Sequence, residues 1–129
     1  MKLLLDTHAW LWMVSEPESL SREAVSLIEN RDNELLFSAA SSWEIAIKHT
    51  LGKLALPSSP SRYVPDQIEK TGVSPLRVEH AHALRVAELP DHHRDPFDRL
   101  LIAQAQLEGA TLLTADRQFE PYELPIRWA

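Results

Sequence analysis

The chain has 129 residues, of which 44% are hydrophobic and 25% are charged, and its formal net charge is −6. These values are typical of one globular domain and exclude a disordered chain, while the acidic balance disfavours a non-specific nucleic-acid coat protein without excluding an enzyme that acts on nucleic acid. The absence of cysteine excludes disulfides, thiolate zinc sites and a cysteine nucleophile, and it agrees with the reducing cytoplasm that we predict for this protein.

The first part of the chain alternates short apolar runs with helical patterns. Residues 3–5 form a continuous apolar run, which is typical of a central parallel strand covered on both faces. Residues 7–14 predict a short buried helix, and a second helix is expected over 21–30, where Ser21 is a preferred N-cap residue. A second strand is expected over Glu34–Ser38.

An amphipathic pattern then predicts a helix over 41–51. The apolar side chains at the spacing of one helical face are Trp43, Ala46, Ile47 and Leu51. We expect Trp43 to be a core residue, and Gly52 is placed to end the helix.

The alternation continues to the C-terminus. We predict helices over 61–71, 79–88 and 97–108, strands over 73–76, 111–114 and 125–128, a polar loop over 89–94, and a turn or short helix over 118–122. Pro65 should limit or kink the first of these helices, and Pro75 weakens the prediction of a strand because proline cannot donate to a central ladder. Gly109 is placed to end the last helix.

Strands that alternate with helices through short connections indicate a parallel sheet with helices on both faces. We therefore predict an α/β fold in one domain over residues 1–129. No apolar run approaches the ~20 residues of a membrane span, and the first residues lack the basic and long apolar regions of a secretory signal. We expect no membrane partner.

Acidic residues occupy places where a strand ends or a helix begins. Asp6 follows the first strand and Asp116 follows the strand over 111–114, whereas Glu44 and Asp98 open helical patterns. In an open α/β sheet these places fall at the carboxyl ends of the strands, where ligands bind. Carboxylates crowded there repel one another unless cations neutralise them, and hard divalent cations such as Mg²⁺ take oxygen ligands. The pattern predicts metal-dependent chemistry on a phosphate ester.

These acids also have purely structural interpretations. Asp6 and Asp116 could cap the segments that follow their strands. Glu44 could complete a capping box with Ser41 or form a helical ion pair with Lys48. Such interpretations explain each acid separately, but they do not explain why all of them should meet at one edge of one sheet.

The start of the last long helix has its own structural interpretation. Asp95 is a good N-cap and Pro96 suits the first helical position, so we expect Asp95 to be structural or to support the site. Asp98 then falls at the third helical position, where an acid also favours the helix dipole.

Neighbouring residues could assist the acids. Thr114 precedes Asp116 by two residues and is suited to hydrogen-bond a member of the cluster. The candidate phosphate contacts are Lys48, Arg94, Arg99 and Arg117. For any one of them, a solvated ion pair is the more ordinary role.

The histidines do not predict a zinc site. His92 and His93 are adjacent, so they cannot easily bind one ion, and no cysteine completes a closed site. We expect both to be solvent-facing or hydrogen-bonding loop residues. His8 is expected to be ordinary packing next to Asp6, and Trp12 a core residue.

Several segments together carry a resemblance to a known family. They are Leu3-Leu4-Leu5-Asp6-Thr7-His8, Ser41-Ser42-Trp43-Glu44-Ile45-Ala46-Ile47-Lys48, Arg94-Asp95-Pro96-Phe97-Asp98-Arg99-Leu100-Leu101-Ile102-Ala103-Gln104-Ala105, and Leu113-Thr114-Ala115-Asp116 with Phe119. In this order and at these separations they resemble the PIN-domain nucleases, and most closely the VapC-type toxins of bacterial and archaeal toxin–antitoxin pairs. The resemblance covers nearly the whole chain, and its Asp-Pro-Phe-Asp-Arg stretch is specific.

The resemblance implies a Rossmann-like, three-layer PIN fold and a Mg²⁺- or Mn²⁺-dependent endoribonuclease that hydrolyses RNA. It also implies a homodimer and inhibition by a small VapB-type antitoxin that binds operator DNA. Carried over position by position, the catalytic and metal-binding tetrad is Asp6, Glu44, Asp98 and Asp116. The candidate supporting or substrate-contacting residues are Thr114, Asp95, Arg99 and Lys48.

Two other functions stay open on the residues alone. A phosphotransfer or phosphatase domain also carries an Asp at a strand end, but haloacid-dehalogenase-type enzymes usually need a second Asp where this chain has His8. Receiver domains need an acidic pair near the start and a late lysine, whereas the last lysine here is Lys70. The second alternative is a catalytically silent PIN-like binding module, which an intact tetrad disfavours.

Overall fold

The apolar run near the N-terminus forms the central strand of a parallel sheet in the computed structural model, which describes residues 1–129. The strands are β1 (Lys2–Leu5), β2 (Glu34–Ser38), β3 (Ser74–Leu76), β4 (Thr111–Thr114) and β5 (Ile126–Trp128). Their order is β3-β2-β1-β4-β5, and every neighbouring pair is parallel. The order reverses between β1 and β4, so the carboxyl ends of these strands form the switch point at which open α/β sheets bind ligands.

Helices connect the strands and cover both faces of the sheet, which confirms the predicted α/β architecture. They are α1 (Thr7–Ser15), α2 (Arg22–Glu29), α3 (Ala39–Thr50), α4 (Pro60–Thr71), α5 (His80–Arg85) and α6 (Pro96–Glu108), with 3₁₀ turns over Pro17–Ser19, Val86–Glu88 and Arg117–Phe119. None of the helices combines the length and the apolarity that a membrane crossing requires.

Two apolar cores explain why β1 is a continuous apolar run rather than an alternating one. Successive side chains of a strand point to opposite faces. Leu4 packs against Leu101 of α6 on one face, and Leu5 packs in the other core with Trp10 and Phe37. The rings of Trp10 and Phe37 stack with 4.1 Å between their centroids. Because full burial of one leucine side chain contributes about 1.5–3 kcal/mol, a polar residue at either position would be costly.

Proline is tolerated in β3 because this strand lies at the edge of the sheet. Pro75 pairs with Phe37 of β2, and β3 has no neighbour on its other side. A missing amide donor therefore costs no ladder hydrogen bond on that side. Pro65 lies inside α4 but does not end it.

Helix α3 begins earlier than its apolar pattern predicts. It starts at Ala39, and its N-cap is Ser38, whose Oγ accepts a hydrogen bond from Ala40 N at 3.0 Å. The predicted capping box of Ser41 and Glu44 is therefore wrong, because Ser41 lies inside the helix. The capping hydroxyl therefore comes from an earlier serine, at the end of β2, than the one that the sequence pattern selected.

The face of α3 that the apolar spacing marked is not the buried one. Trp43 is 61% exposed and Leu51 is 62% exposed, so the prediction that Trp43 is a core residue is wrong. Trp43 instead packs its edge on Phe97 at 5.0 Å between ring centroids. The inward face carries Glu44, which lines a polar cavity, and Ile45, which is fully buried in the core with Trp10 and Phe37.

Candidate active site

Strand β1 ends in an aspartate that caps the following helix. Asp6 is extended, with φ −71° and ψ 170°, and its Oδ1 accepts a hydrogen bond from Ala9 N at 2.7 Å. Leu5 lies opposite Leu113 in the β1–β4 ladder, so Asp6 lies beside Thr114, whose hydroxyl donates to Asp6 Oδ2. The carboxylate is buried, with 6% exposure, and each of its oxygens is oriented by a bond to the fold.

Thr114 joins two of the predicted acids. Besides donating to Asp6, its Oγ1 accepts a hydrogen bond from Asp116 N at 3.0 Å. Asp116 caps the 3₁₀ turn that follows β4, since its Oδ1 accepts from Gln118 N at 2.9 Å. The supporting position predicted for Thr114 is therefore present in the geometry.

The other two predicted acids project from α3 and α6. Glu44 lies in the second turn of α3, and its Oε2 lies 2.8 Å from Lys48 Nζ, the helical ion pair expected from the spacing. At the start of α6, Asp95 Oδ1 accepts from Phe97 N at 2.8 Å and from Asp98 N at 3.2 Å. Asp95 is therefore the N-cap that orients the helical turn that carries Asp98.

Two buried hydrogen bonds hold α3 against the elements that carry the other acids. Ser38 Oγ donates to Gln104 Oε1 of α6 at 2.5 Å, and Thr7 Oγ1 of α1 donates to Ser41 Oγ at 2.9 Å. A shift of α3 would leave these buried polar atoms unpaired, at a cost of about 1–3 kcal/mol each. The position of Glu44 relative to Asp98 is thus determined by packing and by these bonds together.

His93 is a member of the site that the sequence did not identify. It is a hydrogen-bonding loop residue, as expected, but it is buried at 5% exposure, and its Nε2 lies 2.9 Å from Asp98 Oδ2 and 3.3 Å from Asp116 Oδ2. His92, in contrast, is exposed. The sequence offered one signal, a histidine two residues before the N-cap Asp95, but nothing local distinguishes it from its neighbour.

The hydrogen bonds of His93 determine what it does in the site. Its Nδ1 accepts a hydrogen bond from Asp95 N at 3.2 Å, so the neutral ring carries its proton on Nε2. Ligand atoms of His93, Asp98 and Asp116 lie within 4.8 Å of one another, which is close enough to surround an ion. With its proton on Nε2, however, the imidazole donates to the carboxylates and does not offer a lone pair to a metal.

All of the predicted acids line one open cavity of ≈440 Å³ at the carboxyl edge of β1 and β4. Its lining residues are Asp6, Thr7, His8, Trp12, Glu44, Lys48, His93, Asp95, Asp98, Ala115, Asp116 and Gln118. Lys48 is the one lysine or arginine among them. The structure therefore brings the tetrad, Asp95 and Lys48 together, with Thr114 directly behind them.

Burial and crowding make ionisation of Asp98 unfavourable. Burial, reinforced by the charges of Asp95, Glu44, Asp6 and Asp116, raises the pKa of Asp98 to about 8. The cavity therefore holds more negative charge than its fixed positive charge can neutralise.

The pKa values of two further groups are raised for different reasons. Burial raises the pKa of Asp6, although the hydrogen bond from Thr114 opposes this shift. The hydrogen bond to Glu44 raises the pKa of Lys48 and so keeps its ammonium group charged.

Without metal, Asp98→Asn is expected to stabilise the protein more as the pH rises. In the unfolded chain this carboxyl ionises near its ordinary pKa of ~3.9, whereas the folded protein raises it to about 8. The loss of stability that this shift causes is absent below the pKa of the unfolded chain. It grows as the pH rises towards the pKa of the folded protein and is complete above that value. Thermal melts in EDTA should show a gain of about 5 °C or more near pH ~8.5 and almost none near pH ~4.

The control for this experiment is Asp66→Asn, which removes an exposed carboxylate that lies 3.0 Å from Lys70 Nζ. It should show no gain that grows with pH, because an exposed ion pair contributes only about 0–1 kcal/mol. An equal gain in melting temperature for Asp98→Asn at both pH values would show that the raised pKa of Asp98 is not the cause of the gain.

Arg99, a predicted phosphate contact, does not line the cavity and is bound elsewhere in the fold. Its guanidinium donates to backbone carbonyls that include Pro90 O at 3.0 Å and Val86 O at 3.1 Å. Arg117 is also engaged, with its guanidinium 3.9 Å from the centre of the Trp128 ring. Of the predicted phosphate contacts, Lys48 is the one that lines the cavity.

His8 and Trp12 lie at the cavity rather than in the core, contrary to expectation. His8 is exposed and Trp12 is half-buried, and both line the cavity. Their rings meet edge to face at 6.0 Å between centroids. The first turns of α1, which begins directly after Asp6, therefore place two aromatic side chains beside this acid.

The sequence is similar to proteins of known family. Residues 3–123 match the PIN domain family. Ribonuclease VapC22 of Mycobacterium tuberculosis (strain ATCC 25618 / H37Rv) is 33% identical over 126 residues, which are 95% of this chain and 93% of that protein. Ribonuclease VapC16 of the same organism is 48% identical over 60 residues, which are 46% of this chain and 43% of VapC16. The match to VapC16 therefore spans less than half of that relative.

Solved structures share the fold. A chain in the crystal structure of VapBC2 from Rickettsia felis, bound to a DNA fragment from its promoter, superposes with a TM-score of 0.73 at 17% identity and covers 99% of this chain and 98% of that one. A chain of DNA-bound VapBC from Salmonella typhimurium gives 0.71 at 15% identity, with coverage of 99% and 98%. These similarities confirm the predicted architecture of a parallel sheet flanked by helices.

Proposed function

Because this chain belongs to the PIN domain family, we propose that it is a metal-dependent endoribonuclease and the toxin of a VapBC-type toxin–antitoxin pair. The proposed catalytic and metal-binding residues are Asp6, Glu44, Asp98 and Asp116. One observation carries the proposal: carboxylates from separate parts of the chain line a single open cavity at the carboxyl edge of the sheet. The family membership leaves the phosphotransfer alternative without support.

The donor set fits a hard divalent cation such as Mg²⁺ or Mn²⁺. The cavity offers carboxylate oxygens, which these ions prefer, and the pKa of Asp98 is raised to about 8 by burial and by the neighbouring carboxylates. A bound cation would relieve that repulsion. When bound, it supplies Lewis-acid stabilisation of the negative charge that builds on a phosphate during cleavage.

The chain itself orients the acids and contacts the substrate. Thr114 fixes Asp6 and the backbone of Asp116, and His93 donates to the side chain of Asp116. In this proposal Lys48, which is charged and lines the cavity, contacts an RNA phosphate. The proposed reaction adds water across a P–O bond: the water oxygen bonds to phosphorus, and the leaving oxygen departs with a proton.

We assign a VapB-type antitoxin, a homodimeric assembly and a cytoplasmic location to the same proposal. Two proteins of the same fold occur in DNA-bound VapBC complexes. The exposed apolar side chains of Trp43 in α3 and of Leu51 at its C-cap, at 61% and 62%, supply surface for a protein partner. Light scattering of the purified protein, alone and with the antitoxin, measures both assemblies.

The purified, partner-free protein is expected to cleave RNA when Mg²⁺ or Mn²⁺ is present. Cleavage should fall to the level of an enzyme-free blank in EDTA and return when excess ion is added, because the carboxylates alone repel an anionic substrate. Gel separation of the RNA products measures both steps. A silent binding module would bind RNA or antitoxin without cleaving, so a well-folded protein that never cleaves at saturating ion and RNA would contradict the proposal.

A further inference from the structure

A second cavity adjoins the acidic one. Its volume is ≈270 Å³, and its lining residues are Thr7, His8, Leu11, Ile45, Lys48, Lys53 and Leu54. Thr7, His8 and Lys48 line both cavities. A ligand that runs out of the acidic cavity past these side chains would therefore enter the second cavity directly.

The two cavities differ in chemistry. The acidic cavity is lined mainly by charged and polar side chains, whereas the second has the half-buried aliphatic side chains of Leu11 and Leu54 at its wall and the fully buried Ile45 behind them. Lys53 adds an exposed ammonium group at its edge, and it takes part in none of the ion pairs of the structure. An apolar hollow with an unpaired cation beside it suits a ligand that has both an apolar face and a negative charge nearby.

The size of the second cavity limits what it can hold. Its volume is ≈270 Å³. This volume is too large for a lone ion and lies just below the ~300–1,000 Å³ of pockets for drug-sized ligands. A single planar ring system is of the right order.

We propose that this second cavity, hereafter the base pocket, receives an unstacked nucleobase of the RNA whose adjacent phosphate lies in the acidic cavity. This inference rests on the proposed ribonuclease function. A nucleic acid alternates phosphates with rings that have apolar faces, and the two cavities alternate in the same way. The side chains of Leu11 and Leu54 contact the faces of the base, while Lys53 attracts a flanking phosphate.

The wall between the cavities supports the same occupant. His8 lines both cavities and is exposed, and its ring lies 6.0 Å from the ring of Trp12 between centroids. Aromatic rings of this kind stack with unpaired bases. Since a base enters the pocket only after leaving its own stack, the pocket selects single-stranded RNA over a duplex.

The first test is a kinetic comparison of pocket variants. Leu54→Trp fills the base pocket and Lys53→Glu reverses its charge, whereas Lys2→Glu makes the same charge change at an exposed position near the opposite end of β1. Both pocket variants are expected to raise KM for a short single-stranded RNA by about tenfold, while kcat changes little and Lys2→Glu matches the parent. Lys53→Glu should also reduce the slope of log KM against log salt by about one.

The second measurement is photocrosslinking of the unmodified protein to RNA that carries 4-thiouridine, which does not depend on the folding of any variant. Crosslinks are expected within residues 7–11 or 45–54. Crosslinks confined to other segments would overturn the base pocket, and so would unchanged KM values in both variants.

The outcomes also separate this inference from the function on which it rests. If the pocket variants cleave like the parent while Asp98→Asn is inactive, the base pocket is wrong and the ribonuclease assignment stands. If the parent itself does not cleave RNA, the assignment fails first. If the pocket variants lose antitoxin binding but keep the parental KM, the pocket binds the antitoxin, and the proposal that it receives a base is overturned.

Discussion

Asp98→Asn is expected to lower the rate of RNA cleavage by at least about 100-fold, since changes to groups that only support a metal site already cost up to ~100-fold. Asparagine keeps the size of the side chain but removes a charged oxygen ligand from a cavity that depends on negative charge to bind a cation. The fold should persist, because Asp98 is a group whose ionisation is disfavoured, with a pKa of about 8. Cleavage of a labelled RNA at saturating Mg²⁺ or Mn²⁺ measures the loss.

Two comparisons make this result specific. Asp66→Asn changes an exposed acid of α4 that is paired with Lys70, and it should cleave like the parent. Thermal melts should show that Mg²⁺ raises the melting temperature of the parent more than that of Asp98→Asn, since only the parent keeps all ligands. The proposal is falsified if Asp98→Asn cleaves RNA as fast as the parent.

Arg99→Ala is expected to reduce the free energy of unfolding by about 3 kcal/mol or more, because charge-assisted hydrogen bonds contribute ~1.5–3 kcal/mol each. The guanidinium of Arg99 donates to carbonyls of the segment over 86–93 and to Tyr122 Oη at 3.3 Å. Tyr122 Oη in turn accepts from His93 N at 2.7 Å. Loss of the guanidinium therefore leaves several acceptors unpaired and releases the loop that positions His93.

Denaturant unfolding measures this effect, with Arg85→Ala as the matched control. Arg85 pairs with Glu88 at 2.8 Å and donates one hydrogen bond to Gln106 Oε1 at 3.2 Å, so its loss should cost about 1–2 kcal/mol, less than the loss of Arg99. Arg99→Lys should recover only part of the stability, because an ammonium group cannot reproduce the planar fork. If Arg99→Ala keeps the parental stability but raises KM for RNA, Arg99 contacts phosphate as the sequence predicted and does not stabilise the loop.

Much of the fold follows from local patterns in the chain. The run over residues 3–5 predicts a strand buried on both faces whatever covers it, because only apolar side chains are tolerated on both sides of a central strand. Gly109 ends α6 in the left-handed conformation, with φ 64°, and this preference is a property of glycine itself. Such signals act within a few residues, so they predict local structure without knowledge of the tertiary contacts.

The positions of the acids at one edge of the sheet could also be predicted from the sequence, for a related reason. Asp6 and Asp116 must sit at one edge of the sheet, because parallel strands place their carboxyl ends together. Their local capping bonds, to Ala9 N and Gln118 N, explain why a cap interpretation and a site interpretation fit the same residues. Capping orients a carboxylate without using all of its lone pairs, so one side chain serves both purposes.

Other features depended on contacts between distant parts of the chain. The spacing of Trp43 and Leu51 identified an apolar stripe on α3, but spacing does not show whether the opposite stripe faces a core or a cavity. His93 and Arg99 differ from other histidines and arginines only through partners far along the chain, Asp116 for the first and Tyr122 for the second. Periodicity and capping are short-range effects that the order of residues specifies, whereas the environment of a polar side chain depends on which segments pack around it.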